Sequence, residues 1–443
     1  MKNPLPAAAW IILLLALLLR VGYVAVTPDY ALVHDAVDYD RAAKSIAQGD
    51  GYPYSRVKGR ETAFRPPSYP FLLAGAYTVT GVAHAKVEDR VRVARIIGIL
   101  ISTLIVGLIG VVAALLWGRL VALAAMGLAA VYIPLIVVGG AVMSEPLFAA
   151  LLLGALAAAI QHRRSTHRWR WALLGGVLAG LTILTRANAL VLLLPLGLAV
   201  WTGRPRFSPR ALAVPAVLVV IALLTVSPWT IRNAVVFDRF IPVSTQLGSA
   251  LAGTYNDQAR TDKENPASWR SVRRLPEYRD LYARINEIPE PEVEDILTER
   301  SKAYIREHPT YVAKVALWTT LRTFELGGLD WSRHTASTIS VTPRWANAGV
   351  ICFWIFALLA LAGALTRAAR RTPLFVWMIP ALLYLSVVFL VVETPRYRTG
   401  IDPFIVMLAA LALQPALRAV VDRARPRRDP ARYPTSPKAP TPA

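Results

Sequence analysis

IIGILISTLIVGLIGVVAALLW, residues 96–117, runs 22 positions without a charged side chain. At a rise of 1.5 Å per residue, ~20 apolar residues in a helix cross the ~30 Å hydrocarbon of a bilayer. Comparable blocks occupy residues 6–26 and 346–365, and further apolar blocks run 121–138, 146–160, 171–184, 189–201, 212–226, 373–392 and 403–421. The sequence therefore predicts an all-α, polytopic transmembrane helical bundle of about ten spans. Composition agrees: hydrophobic residues make up 55% of the 443, mean hydropathy is +0.45, and charged residues supply only 17%, against ~25% in soluble domains.

Net charge is +21 and the pI about 10.5, but no basic stripe interleaved with aromatics appears in a soluble segment, so nucleic acid is not an expected partner. The cations flank the apolar blocks instead. Arg163, Arg164, Arg168 and Arg170 fill one short loop, Arg204, Arg206 and Arg210 another, and Arg367, Arg370 and Arg371 a third. The positive-inside rule puts these loops in the cytoplasm, together with Lys2 and a basic, Pro-rich tail whose composition cannot bury a core. Both termini are then cytoplasmic in a multi-pass protein of the cell membrane. Parity supports this arrangement, because each basic loop follows an even number of crossings when ten spans are counted. Residues 69–81 (YPFLLAGAYTVTG) would shift every later basic loop outside if they crossed, and ~13 residues are short for a span. They are expected to form a re-entrant or interfacial helix.

The organisation that follows is an N-terminal transmembrane module, 1–226, with a first external loop at 27–95. Next come an external segment with amphipathic helices, 227–345, C-terminal transmembrane helices, 346–421, and a disordered cytoplasmic tail, 422–443. The first apolar block is long for a signal peptide and is expected to be an uncleaved anchor. The one cysteine, Cys352, lies in a predicted span, which excludes an internal disulfide and a cysteine-based zinc site. In the first loop, residues 35–48 read as a short juxtamembrane amphipathic helix ended by Gly49. In the external segment, helix begins near Pro291, and Ala313, Leu317, Leu321 and Phe324 share a face opposite Lys314, Trp318, Arg322 and Glu325. That pattern suits a helix on the membrane surface. There is no repeat, no Walker A and no G-x-G-x-x-G after a strand.

The first loop carries His34-Asp35, Asp38-Tyr39, Gly49-Asp50-Gly51-Tyr52 and Arg65-Pro66-Pro67-Ser68-Tyr69-Pro70. Later come Ser144-Glu145-Pro146, Leu184-Thr185-Arg186, Pro228-Trp229-Thr230-Ile231-Arg232-Asn233 and Glu393-Thr394-Pro395-Arg396-Tyr397-Arg398. In type and order these motifs resemble the C-type (GT-C) integral-membrane glycosyltransferases, in particular the superfamily of protein O-mannosyltransferases and lipid A aminoarabinose transferases. The chain is short for that family, and the second carboxylate is Glu145 where relatives often carry Asp.

The resemblance implies transfer of a single sugar, a hexose or pentose, from a polyprenyl-phosphate donor to an acceptor hydroxyl on the outer face. The acceptor is a glycan, lipid or protein. Asp35 matches the family's catalytic base, and one-step displacement implies inversion. A carboxylate can take the acceptor proton, and a phosphate leaving group needs its charge stabilised more than it needs a proton. Arg65 and Arg396 are candidates for that phosphate, since guanidinium forks pair bidentately with its oxygens. Glu145 is the second candidate catalytic carboxylate, and Arg232, Tyr397, Arg398, Asp38 and His34 complete the candidate binding set. No cofactor is fixed by the sequence, no metal ligand set is identified, and a divalent metal is left open.

Plainer roles compete at each position. Asp35 could be a helix N-cap, Glu145 a turn residue ahead of Pro146, and Arg232 or Arg398 an interface anchor. Arg20 and Arg186 sit near span ends, where an arginine usually snorkels to the headgroups, and neither is assigned to the site. The alternative function is a polytopic transporter or lipid flippase. Such proteins place ionisable groups at mid-membrane depth, whereas the acids and candidate arginines here cluster at the outer ends of spans.

Overall fold

The computed structural model describes residues 7–53, 61–389 and 395–424. Lys2, Glu393, Thr394 and nearly all of the predicted tail lie outside the described residues. Among the described residues there is no β-strand, only an isolated bridge between Pro53 and Glu61.

In their described residues the apolar blocks form helix. The N-terminal helix α1 (Ala7–Ala25) leads to α2 (Asp35–Gln48) and α3 (Ser68–Thr80), two short helices of the first loop. Then follow α4 (Val87–Trp117), α5 (Arg119–Val131), α6 (Ile133–Gly139), α7 (Glu145–His162) and α8 (Arg168–Thr185). A 3-10 turn (Ala187–Leu192) joins α8 to α9 (Leu193–Val200), and α10 (Pro209–Phe237) completes the first half. The polar segment holds α11 (Leu247–Thr254), α12 (Asp257–Thr261), α13 (Arg279–Ala283), α14 (Glu290–Glu307), α15 (Pro309–Thr323) and α16 (Leu329–Ser337). The chain ends with α17 (Pro343–Ala364), α18 (Arg367–Arg370), α19 (Leu374–Val388) and α20 (Asp402–Ala424). Residues 422–424, which the sequence assigns to the tail, are the last of α20.

Among the described residues six helices (α1, α4, α7, α10, α17 and α20) are long and apolar enough to cross a membrane, and α5 with α6 makes a seventh if the bent pair is one span. The all-α membrane bundle is as expected, while the count of ten spans is not confirmed. The remaining blocks are helical but fall short: α8 carries two arginines in its first turn, and 187–200 and α19 are shorter apolar helices. Although α8 fails on composition, it is built into the bundle by small residues. A Cβ on Gly176 would lie 2.8 Å from the Leu218 carbonyl oxygen, and one on Gly180 2.7 Å from that of Ala222, so α8 and α10 approach backbone to backbone.

The block 121–138 is a broken element, bent by 60° at Tyr132. Pro134 explains the break, since its ring clashes with the preceding turn and it has no N–H to donate. Carbonyls freed there are met by Arg20, which donates to Ala129 and Ala130 as well as to Ser102 Oγ at 2.7 Å; Ser102 donates in turn to Leu135. Arg20 is fully buried, so it turns inward and does not snorkel.

α2 has the predicted bounds, and Gly49 closes it with a left-handed φ of 83° that glycine adopts without strain. α3, the 69–81 helix, is 13 residues long and packs Tyr69, Leu73 and Tyr77 against α2 and α4. The face assigned to α15 changes. Ala313 and Leu317 are exposed, as for a helix against lipid, but Arg322, placed on the polar side, is buried under Trp331 with its guanidinium 3.8 Å from the ring centre.

Candidate active site

Three remote pieces of chain meet α2 at one end of the bundle: the Arg65 turn before α3, the start of α7, and the 3-10 turn Pro395–Gly400 before α20. The first is shaped by its own glycine motif. Gly51 has φ 81°, the bend that presents Tyr52, and the Tyr52 hydroxyl donates to the Arg65 carbonyl at 3.0 Å. Tyr52 thereby fixes the backbone of the Arg-Pro-Pro turn.

Asp35 opens α2 but does not cap it. The N-cap position belongs to His34, whose side chain makes no capping bond, and the Asp35 carboxylate is used otherwise. Its Oδ1 accepts from Arg65 at 2.5 Å and its Oδ2 from Arg396 at 2.7 Å. Arg65 also donates twice to Asp38 Oδ2, at 2.9 and 3.2 Å. Arg396 reaches towards Glu145 Oε1 at 3.6 Å, and the same oxygen is paired with Arg186 at 3.0 Å. Six groups thus alternate in sign: Asp38, Arg65, Asp35, Arg396, Glu145, Arg186. Three positive and three negative charges cancel, which is how so many ions are held while largely removed from water.

Burial by itself would raise the Asp35 carboxyl, but the Arg65 and Arg396 guanidiniums outweigh it and hold the group well below the usual carboxylate range. Arg65 and Arg396 are correspondingly held above the usual arginine range by Asp35, despite burial. Tyr39, whose hydroxyl shares a hydrogen bond with Ser144 Oγ at 3.0 Å, is pushed up to about 12 by burial and stays neutral. That bond ties α2 to the start of α7. Tyr397 lies between two of the arginines, with Arg186 4.4 Å and Arg396 5.2 Å from its ring centre.

Arg186 is the residue that sequence reasoning left out. It lies just beyond α8, and a signal was available: by parity this arginine falls at the acid-rich end, where charge bias gives no reason for a cation. Arg398 and Arg232, in contrast, point away from the ladder. Arg398 is buried against Asp402 at 2.7 Å and Glu325 at 3.6 Å, and donates to the Thr323 carbonyl. Tyr132, at the break between α5 and α6, donates to Asp402 at 3.1 Å. Arg232 donates to the Thr62 carbonyl at 2.8 Å, pairs with Glu61 and lies over Trp229, so it straps the first loop to α10. His34 is exposed at the rim with φ 46°.

Beside Arg396 lies a cavity of about 80 Å³, walled by Val138, Ile339, Val341 and Trp345, with Arg396 and Arg398 on its polar side. Among the described residues no group of three or more histidines, cysteines or carboxylates could hold a metal ion. The carboxylates present here fit an arginine ladder better than a metal cage.

Residues 65–231 match the family model for dolichyl-phosphate-mannose-protein mannosyltransferases. No curated protein matches the sequence. Among solved structures, the chain is similar to the oligosaccharyltransferase AglB of Archaeoglobus fulgidus in complex with an inhibitory peptide and a dolichol-phosphate. There the identity is 14% and the TM-score 0.53, over 95% of this chain and 52% of that one. The same enzyme tethered to an acceptor peptide gives 15% identity and a TM-score of 0.55, over 94% and 50%. ArnT from Cupriavidus metallidurans, bound to undecaprenyl phosphate, matches at 16% identity and a TM-score of 0.41, over 94% and 77%. The chain spans about half the length of the oligosaccharyltransferase it matches.

Proposed function

We propose that this chain, which has the fold of the C-type integral-membrane glycosyltransferases, moves a single sugar from a polyprenyl-phosphate donor to an acceptor hydroxyl at the outer face of the cell membrane. One observation carries the reading. Asp35 is gripped by Arg65 and Arg396, two guanidiniums from opposite ends of the sequence that are also suited to a phosphate.

The donor's phosphodiester anion competes with Asp35 for those guanidiniums. As it takes hydrogen bonds from them, Asp35 loses the partners that suppress its basicity and becomes able to accept a proton. The acceptor oxygen then attacks the anomeric carbon from the side opposite the phosphate. Its proton passes to Asp35, the bond from the anomeric carbon to the phosphate oxygen breaks, and polyprenyl phosphate leaves with the bonding pair, held by Arg65 and Arg396. Displacement in one step inverts the anomeric centre. Glu145 balances the charge at the far end of the ladder, Asp38 keeps Arg65 oriented, and Tyr397 lies against Arg186 and Arg396.

Transfer of sugar from a synthetic polyprenyl-phosphate donor by the purified protein in liposomes tests the reading directly. Comparative mass spectrometry of envelope glycans and glycolipids, with and without the protein, identifies the sugar and acceptor. Loss of a hexose or pentose is expected, and unchanged glycans together with no transfer in vitro would refute the function. Redistribution of labelled lipid between leaflets, without transfer, would instead establish the flippase alternative.

A further inference from the structure

Glu145 is 2% exposed, and neither of its carboxylate oxygens has a hydrogen bond of good geometry. What neutralises it is two guanidiniums directed at one oxygen, Oε1: Arg186 at 3.0 Å and Arg396 at 3.6 Å. Arg396 is thus shared unequally, nearer to Asp35 at 2.7 Å than to Glu145. A buried carboxylate deprived of its nearest cation pulls the next one strongly, because an uncompensated buried charge costs more than almost any rearrangement.

We infer that Arg186 is a positioning residue, which holds the Glu145 charge so that Arg396 stays turned towards Asp35 and available to a phosphate. The inference rests on the proposed donor chemistry. Arg186 need not touch the donor. Without it, Arg396 closes on Glu145 Oε1, Asp35 keeps Arg65 alone, and the phosphate loses one of its two guanidiniums. Arg186 also lies against Tyr397, its guanidinium carbon 4.4 Å from the ring centre, which helps to hold the cation beside Glu145.

The test measures binding of a polyprenyl monophosphate to the purified protein in detergent, with thermal stability recorded on the same samples. Arg186→Ala should weaken binding by about ten- to a hundredfold, the worth of one charge-assisted hydrogen bond. Arg186→Ala combined with Glu145→Gln removes the competing charge and should bring affinity back near wild type, while Arg186→Lys, which keeps the charge, should remain near wild type throughout. Recovery in the double variant is a result that loss of packing or a direct contact to phosphate would not give. Unchanged affinity in Arg186→Ala, or affinity that stays low in the double variant, overturns the inference and leaves the proposed function standing. Failure of the wild-type protein to bind the polyprenyl monophosphate overturns both.

Discussion

Replacing Asp35 by Asn separates the catalytic role of the carboxylate from its structural one. The change removes one negative charge from a neutral ladder, yet neither guanidinium is left alone: Arg65 keeps Asp38 at 2.9 Å and Arg396 keeps Glu145 at 3.6 Å. Because Asp35 makes no cap, α2 loses no capping bond at its N-terminus, only one first-turn charge. The cost to stability should therefore be modest, about 1–3 kcal/mol for two weakened charge-assisted bonds. Loss of a general base should lower sugar transfer by about 10²- to 10⁴-fold, equivalent to ~2.7–5.4 kcal/mol of activation free energy. Binding of polyprenyl phosphate should be retained or tightened, since its competitor for Arg65 and Arg396 is gone.

The pH dependence has a definite sign. A carboxyl whose folded pKa is depressed contributes stability that is present above its unfolded value, near ~3.9, and is lost as pH falls through the folded value. The stability difference between wild type and Asp35→Asn should hence be constant from about pH 5 to 8 and shrink only in stronger acid. Transfer, donor binding and melting are measured on one preparation in liposomes or detergent. Near-normal transfer by Asp35→Asn would refute the assignment of the base and direct attention to Asp38 and Glu145.

Arg65→Lys and Arg396→Lys should each weaken polyprenyl phosphate binding although the charge is kept, because an ammonium cannot serve two oxygens as a planar fork does; unchanged affinity in both variants would remove them from the phosphate site. The buried pair in which Arg90 donates to Asp40 at 2.8 and 2.9 Å, joined by Tyr77 at 3.0 Å, fastens α2 to α3 and α4. Asp40→Ala should lower the unfolding free energy by about 3–5 kcal/mol by leaving Arg90 uncompensated, and an unchanged melting temperature in detergent would disprove this. In a Cys352→Ala background, single cysteines at Asp29 and Lys86 should label from the same side of the membrane and one at Arg164 from the other. Labelling of Asp29 and Lys86 on opposite sides would show that α3 crosses.

The elements legible from the sequence are those governed by local physics. A bilayer demands long uncharged helices, and α1, α4, α7, α10, α17 and α20 lie where apolar blocks occur; Gly49 ends α2 because only a residue without a Cβ enters the left-handed turn freely. Asp35 could be nominated through the motifs that resemble the glycosyltransferase family, and Arg65 and Arg396 because guanidinium forks suit a phosphate. What the chain order could not express is who pairs with whom. Arg396 and Arg398 are two residues apart, yet one faces Asp35 and the other is buried with Asp402 and Glu325, since the 3-10 turn sends them to different neighbours. Arg20 and Arg186 both read as span-end anchors, while packing makes the first a stopper for broken-helix carbonyls and the second a partner of Glu145. Even Pro134, visible in the sequence, produced a 60° break whose geometry depends on Arg20 and Ser102 arriving from two other helices and on Tyr132, at the break itself, bonding to Asp402 of α20. In a low-dielectric interior an ion is stable only where a counter-charge or a set of hydrogen-bonding dipoles meets it, and most of those meetings are made by residues tens to hundreds of positions apart, which only the tertiary fold brings together.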